Sequence, residues 1–111
     1  MAYDTRLAER VRELLADTPS VTEKKMFGGL GFLIAGKMAV AASGQGGLLV
    51  RVASADAEHL LDATHARPME MNGRAVRGWL HVDSGQLRTR RKLAEWITIG
   101  TTAARKAPAK D

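Results

Sequence analysis

The sequence predicts an α+β domain: an antiparallel sheet of about five to six strands with helices at the N-terminus, the middle and the C-terminus. Three observations carry that reading. Apolar residues recur at helical spacing near both ends of the 111-residue chain. Between Val21 and Val52 the pattern changes to short apolar runs interrupted by glycine, as in strands joined by tight turns. Those runs follow one another directly, without the strand and helix alternation of parallel βαβ units.

Tyr3, Leu7, Val11, Leu14 and Leu15 lie three or four residues apart, Asp4 offers a cap and Pro19 follows, which places a helix from about Asp4 to Asp17. Strands fall near 21–27, 30–35, 38–42 and 48–53. Gly28-Gly29 is read as a sharp bend, Gly36-Lys37 as a two-residue hairpin connection and residues 44–47 as a looser one. Ser54 supplies a capping hydroxyl ahead of Asp56 and Glu58, so a short helix is expected through about Ala63. Pro68 ends any helical reading there. Residues 67–72 and 78–82 read as extended, with Asn72-Gly73 as a turn.

Leu93, Trp96, Ile97, Gly100 and Ala104 mark a closing helix. Its second half is rich in β-branched residues, and glycine in a helix interior costs about 1 kcal/mol relative to alanine. That half must therefore lean on tertiary packing. Alternation along the fourth strand sends Leu48, Val50 and Val52 toward the helices and Leu49 and Arg51 away from them. A leucine on the solvated side hints at cover by another subunit, so a homodimer is among the expected arrangements.

The length suits one domain, drawn as residues 1–106 with a loose tail at 107–111. The chain contains no cysteine, which excludes disulfides and thiolate metal sites. The N-terminus lacks a basic head followed by an apolar run, and no segment approaches the roughly 18 apolar residues of a membrane span, so a cytoplasmic protein with no membrane partner is expected. Seventeen basic against twelve acidic residues give a net charge of +5, which favours anionic partners without naming one.

Lys24 to Phe32 places four large apolar residues and three glycines behind a pair of lysines. Its Lys25-Met26-Phe27-Gly28-Gly29 core resembles the signature of the TfoX/Sxy N-terminal domain. Leu48 to Val52, Arg67-Pro68-Met69, Gly78-Trp79, and Leu93 with Trp96 follow in the order of that domain, so the resemblance spans nearly the whole chain. It implies an α+β sandwich and, for the named bacterial members, regulation of DNA-uptake competence genes alongside a transcription activator. On a chain ending near residue 111 it implies that domain alone, without the second, helical domain of the long regulators. Lys25, Met26, Phe27, Gly28 and Gly29 are then structural, with Met26 and Phe27 plugging the core while the glycines turn the chain.

No catalytic constellation accompanies the motif. Ser20, Ser43, Ser54 and Ser84 sit in turn or cap contexts outside any Gly-x-Ser-x-Gly elbow, and His59, His65 and His81 are too scattered for zinc. Residues 44–47 lead into a strand, whereas a phosphate loop leads into a helix N-terminus. Gly29-Leu30-Gly31-Phe32 looks like a PDZ carboxylate-binding loop, but a helix closes the chain where that fold needs a strand. The chain is therefore read as a non-enzyme without cofactor or metal.

The sharpest functional clue is Arg88-Thr89-Arg90-Arg91-Lys92, which stacks cations where the last helix begins, against its macrodipole. Arg88, Arg90, Arg91 and Lys92 are candidate contacts for a phosphate or for a partner's acidic surface. DNA would be bound weakly and without base readout, since no helix-turn-helix, finger or aromatic RNA platform is visible. The expected function is thus a transcription- or competence-related regulator acting through macromolecular contacts. The alternative is an adaptor that binds protein through a sheet face or edge, with no nucleic-acid role.

Overall fold

The computed structural model describes residues 3–26, 28–64, 66–71 and 73–106, with only the backbone of Met26, Ser54, Ala63 and Met71. Phe27, His65, Asn72 and the tail at 107–111 lie outside the described residues, as do the side chains meant to plug the core at Met26 and Phe27. The chain runs α1 (Thr5–Leu14), β1 (Val21–Met26), β2 (Gly29–Ile34), β3 (Lys37–Ala42), β4 (Leu48–Arg51), α2 (Ser54–Ala63), β5 (Arg67–Met71), β6 (Arg74–Val82) and α3 (Arg90–Lys106), with a short 3₁₀ turn at Ser84–Gln86. The six strands form one antiparallel sheet in the order β1-β2-β3-β4-β6-β5, so the predicted fold class holds.

Local sequence explains the elements. The Asp4 carboxylate accepts from the backbone N–H of Arg6 and Leu7, which starts α1, and Leu7, Ala8 and Val11 bury its inner stripe. The helix stops at Leu14, short of the predicted Asp17, because tight turns take over at Leu15 and Ala16. At α2 the N-cap is Ala53, which makes no side-chain capping bond, so Ser54 is the first helical residue and not the predicted cap. β6 begins at Arg74, four residues earlier than predicted.

The β2–β3 hairpin also differs from the sequence reading. Its connection is Ala35-Gly36, with φ of 51° and 85°, while Lys37 already pairs with Ile34. Two left-handed residues match the twist of the flanking strands, but alanine pays a steric penalty there that asparagine tolerates better. Ala35→Asn is expected to raise stability by about 0.5–1 kcal/mol, read as a higher urea midpoint with an unchanged slope.

One face of the sheet carries the main core. Phe32, Val40, Val50 and Leu80 form a cross-strand row, each no more than 2% exposed, beneath α1 and α3. A register shift at Phe32/Leu33 makes Ala39 an extra residue in β3, and both Ala39 and Val40 are fully buried. Gly100 of α3 rests on this bulge: a Cβ there would stand 2.5 Å from the Ala39 carbonyl oxygen and 2.7 Å from Val40 Cγ1. The glycine that weakens α3 locally is what lets the helix reach the sheet, and Thr101 and Ala104 are buried beyond it.

Arg12 ties α1 to the edge strand by a two-pronged ion pair with Glu23, at 2.6 and 2.8 Å. The hydrogen bond from Arg12 holds the Glu23 carboxyl below its ordinary range, with the charge of Arg12 adding to it and desolvation opposing. A depressed carboxylate stabilises the fold above its unfolded-state pKa, near 4.3, and loses that contribution as pH falls through the folded value. Glu23→Gln should therefore lower the melting temperature slightly at pH 7. The difference from wild type should vanish in thermal scans taken well below pH 4.

Candidate functional site

Two surfaces contend for function, a basic corner at the start of α3 and the sheet face opposite the helices. At the corner, Thr89 caps α3: its hydroxyl accepts from the Lys92 N–H at 3.1 Å and its carbonyl from the Leu93 N–H at 3.1 Å. Arg88, Arg90, Arg91 and Lys92 are all exposed. Sequence reasoning missed a fifth cation here. Arg10 of α1 donates to the carbonyl oxygens of Leu87 and Arg88, at 2.7 and 3.3 Å, from 77 and 78 residues away in the chain.

The corner is partly self-compensated. Arg90 lies 4.0 Å from Glu13 and Arg91 lies 3.5 Å from Glu95, with all four side chains more than half exposed. Such solvated pairs are weak and screened by salt, so they leave the local potential positive without fixing the side chains. The Thr89 hydroxyl also takes one first-turn N–H that a phosphate would have used. The arrangement is an exposed basic surface, without a preformed anion cradle among the described residues.

The Gly28-Gly29 turn has two distinct glycine requirements. Gly28 has φ of 74° with open space around it, so backbone conformation alone selects it. Gly29 pairs with Met26 in the β1–β2 ladder, and a Cβ there would overlap the Ala42 carbonyl oxygen of β3. Lys25 stands opposite Leu30 in the same ladder and is exposed.

The opposite face of the sheet carries a second, smaller apolar cluster. Ala41, Leu49 and Met69 are buried there, with Met38, Val76 and Trp79 packed around them half-buried. No described helix lies on this side; α1 and α3 pack on the β2–β4 face that holds the main core. The cluster walls a cleft of about 150 Å³ that Gly29, Ser43 and Gly44 also line. Leu49 sits where strand alternation put it, facing away from the helices.

Two departures from regular pleating build this cleft. The Ala39 bulge brings Met38 and Ala41, three residues apart, to one face of β3. Gly78, at φ of 84°, receives the Val52 N–H on its carbonyl and interrupts the alternation of β6, so that Val76 and Trp79 also share a face. Arg51, cross-strand partner of Trp79, donates to the Met38 carbonyl oxygen at 3.2 Å and so stands at the rim.

His81 lies next to the cleft and is 7% exposed. Its Nε2 is 2.8 Å from the Gly46 carbonyl oxygen, an acceptor, so this nitrogen carries a proton and pins the β3–β4 loop. Nδ1 faces Asp83 at 3.5 Å, and Asp83 also receives Arg67 at 2.8 Å. The Arg67 hydrogen bond holds the Asp83 carboxyl below its ordinary range. Among the described residues no three His, Cys, Asp or Glu side chains are grouped to hold a metal, and no helix is long and apolar enough to cross a membrane.

Compared with known proteins, residues 13–104 match the sequence model of one family, the TfoX N-terminal domain. No curated protein and no solved structure matches the chain.

Proposed function

Since the chain belongs to the TfoX N-terminal domain family, we propose that it is a non-catalytic cytoplasmic binding domain, serving in transcriptional or competence regulation by docking a protein partner on the uncovered face of its sheet. The observation that carries this reading is the apolar cleft of Leu49, Met69, Val76 and Trp79 on a face that carries no described helix. Apolar side chains gathered on a surface mark interaction sites, and tryptophan is among the residues that dominate binding energy.

The face is favoured over the edges. β1 presents the exposed charges of Glu23, Lys24 and Lys25, and β5 contains Pro68 and a register shift, devices that oppose the addition of another strand. The cleft is also smaller than the roughly 300–1,000 Å³ of small-molecule sites, which supports a partner side chain over a metabolite or cofactor.

A second reading rests on the Arg10 contact, which adds a cation to Arg88, Arg90, Arg91 and Lys92 and supports weak, salt-sensitive binding of DNA or another polyanion. Pull-downs with purified variants separate the two. Loss of the partner protein with Leu49→Arg, and its retention with the double variant Arg90→Ala/Arg91→Ala, is the result expected for the sheet face. The reverse pattern, together with loss of DNA retention at low salt, would move the function to the corner.

A further inference from the structure

We infer that the partner segment is acidic and carries one aromatic anchor, a conclusion that rests on the sheet face being the docking surface. The anchor follows from size. A cavity of about 150 Å³ with an apolar lining is known to accept a benzene ring, and the cleft here has that volume and that character. Gly29 and Ala41 bring little or no side chain to its lining, and its wall includes Trp79, which offers a ring for edge or offset stacking.

The charge follows from the register. Lys24, Gly31, Ala41, Leu49, His81 and Arg67 are successive cross-strand partners, so they form one row across all six strands on the same face. The row begins at Lys24 and ends at Arg67, with Gly31, Ala41, Leu49 and the buried His81 between them. Arg51 stands beside it at the cleft rim, and Arg74, two residues before Val76 on β6, is exposed at the far end of the same face. Among the described residues the carboxylate on this face is Asp83, which is already engaged by Arg67. That pair is neutral as a whole, so the exposed cations Lys24 and Arg74 give the face its positive charge.

That charge selects among occupants. A second copy meeting this face through a two-fold axis would set the same cations against one another, whereas an acidic segment meets them with opposite charge. Five strand spacings separate Lys24 from Arg67, about 24 Å, which an amphipathic helix of about 16 residues spans. The occupant assigned is such a segment, with carboxylates toward both ends and an aromatic residue at its centre.

The test uses the full chain and three synthetic fluorescein-labelled helical peptides: glutamate-rich with a central phenylalanine, lysine-rich with the same phenylalanine, and glutamate-rich with alanine in its place. Fluorescence anisotropy should show the first binding at least about tenfold more tightly than either of the others, and weakening with added salt. Lys24→Glu/Arg74→Glu, which alters two exposed side chains and so spares the fold, should lower that affinity by about tenfold or more. Equal binding of the lysine-rich or alanine peptide, no effect of charge reversal, or no binding of the acidic aromatic peptide near 1 mM would each overturn the assigned chemistry while leaving the face open to another partner. Sedimentation showing a dimer that Leu49→Arg dissociates would replace the acidic segment by a second copy. Peptide binding abolished by Arg90→Ala/Arg91→Ala and indifferent to Leu49→Arg would remove both the chemistry and the face.

Discussion

Gly100→Ala is expected to destabilise the domain by about 1–3 kcal/mol, although the same change in an exposed helix would stabilise it by about 1 kcal/mol. The sign is decided by what the new methyl group meets. It would stand 2.5 Å from the Ala39 carbonyl oxygen and 2.7 Å from Val40 Cγ1. The first is backbone held in a bulge beneath α3, and Val40 is fully buried in the core row, so neither has room to yield. Either α3 lifts from β3, uncovering part of the Trp96 and Ile97 contact, or the bulge is forced out of register. Urea unfolding distinguishes the two signs: a lower midpoint with unchanged slope supports the close approach, and a higher midpoint would show helix propensity to be the larger effect.

Trp79→Ala is expected to weaken partner binding by at least about 2 kcal/mol, roughly thirtyfold, in the range of interface hot spots. Trp79 is half-buried beside Leu49 and Met69, and its strand partner Arg51 is held at the cleft rim through the Met38 carbonyl. Truncation removes the wall that a partner side chain would pack against. It also removes packing within the small cluster, so the variant should unfold at lower denaturant concentration. Affinity is therefore to be compared under conditions where both proteins are fully folded. Arg91→Ala, which removes an exposed side chain paired with Glu95, should leave that affinity within about threefold if the corner is a solvated charge surface.

The sequence makes the element types and the pleat of β4 legible because both follow from short-range periodicity. Asp4, Pro68 and the alternation of Leu48 to Val52 each act through a few neighbouring residues, and each behaves as its local chemistry dictates. The arrangements that escape the sequence are set across the chain. Ala35 takes a left-handed conformation that its side chain disfavours, with its N–H held by the Ser20 carbonyl at 2.9 Å, so nothing local to Ala35-Gly36-Lys37 places the turn. Gly100 is a liability within α3 and a necessity against β3. Arg10 joins the basic corner through backbone carbonyls that no spacing rule connects to it.

The cleft is the clearest case. Met38 with Ala41, and Val76 with Trp79, are three apart in strands, a spacing that ordinary pleating sends to opposite faces. The bulge at Ala39 and the left-handed Gly78 reverse that outcome. Leu49 carried a signal in the sequence as a large apolar residue at an outward position, whereas Met69 and Trp79 stood out only as parts of the family-like motifs. The cations Arg88, Arg90, Arg91 and Lys92 were easy to see because they are contiguous, which speaks to their visibility and not to their function.

Site-specific photo-crosslinking in the native cells compares the two surfaces directly, with a benzophenone side chain placed at Val76 in one version of the chain and at Arg91 in another. A docking face at the cleft requires a discrete protein adduct from position 76 that Leu49→Arg abolishes, with little or none from position 91. Adducts from position 91 alone, to protein or to nucleic acid, would contradict it.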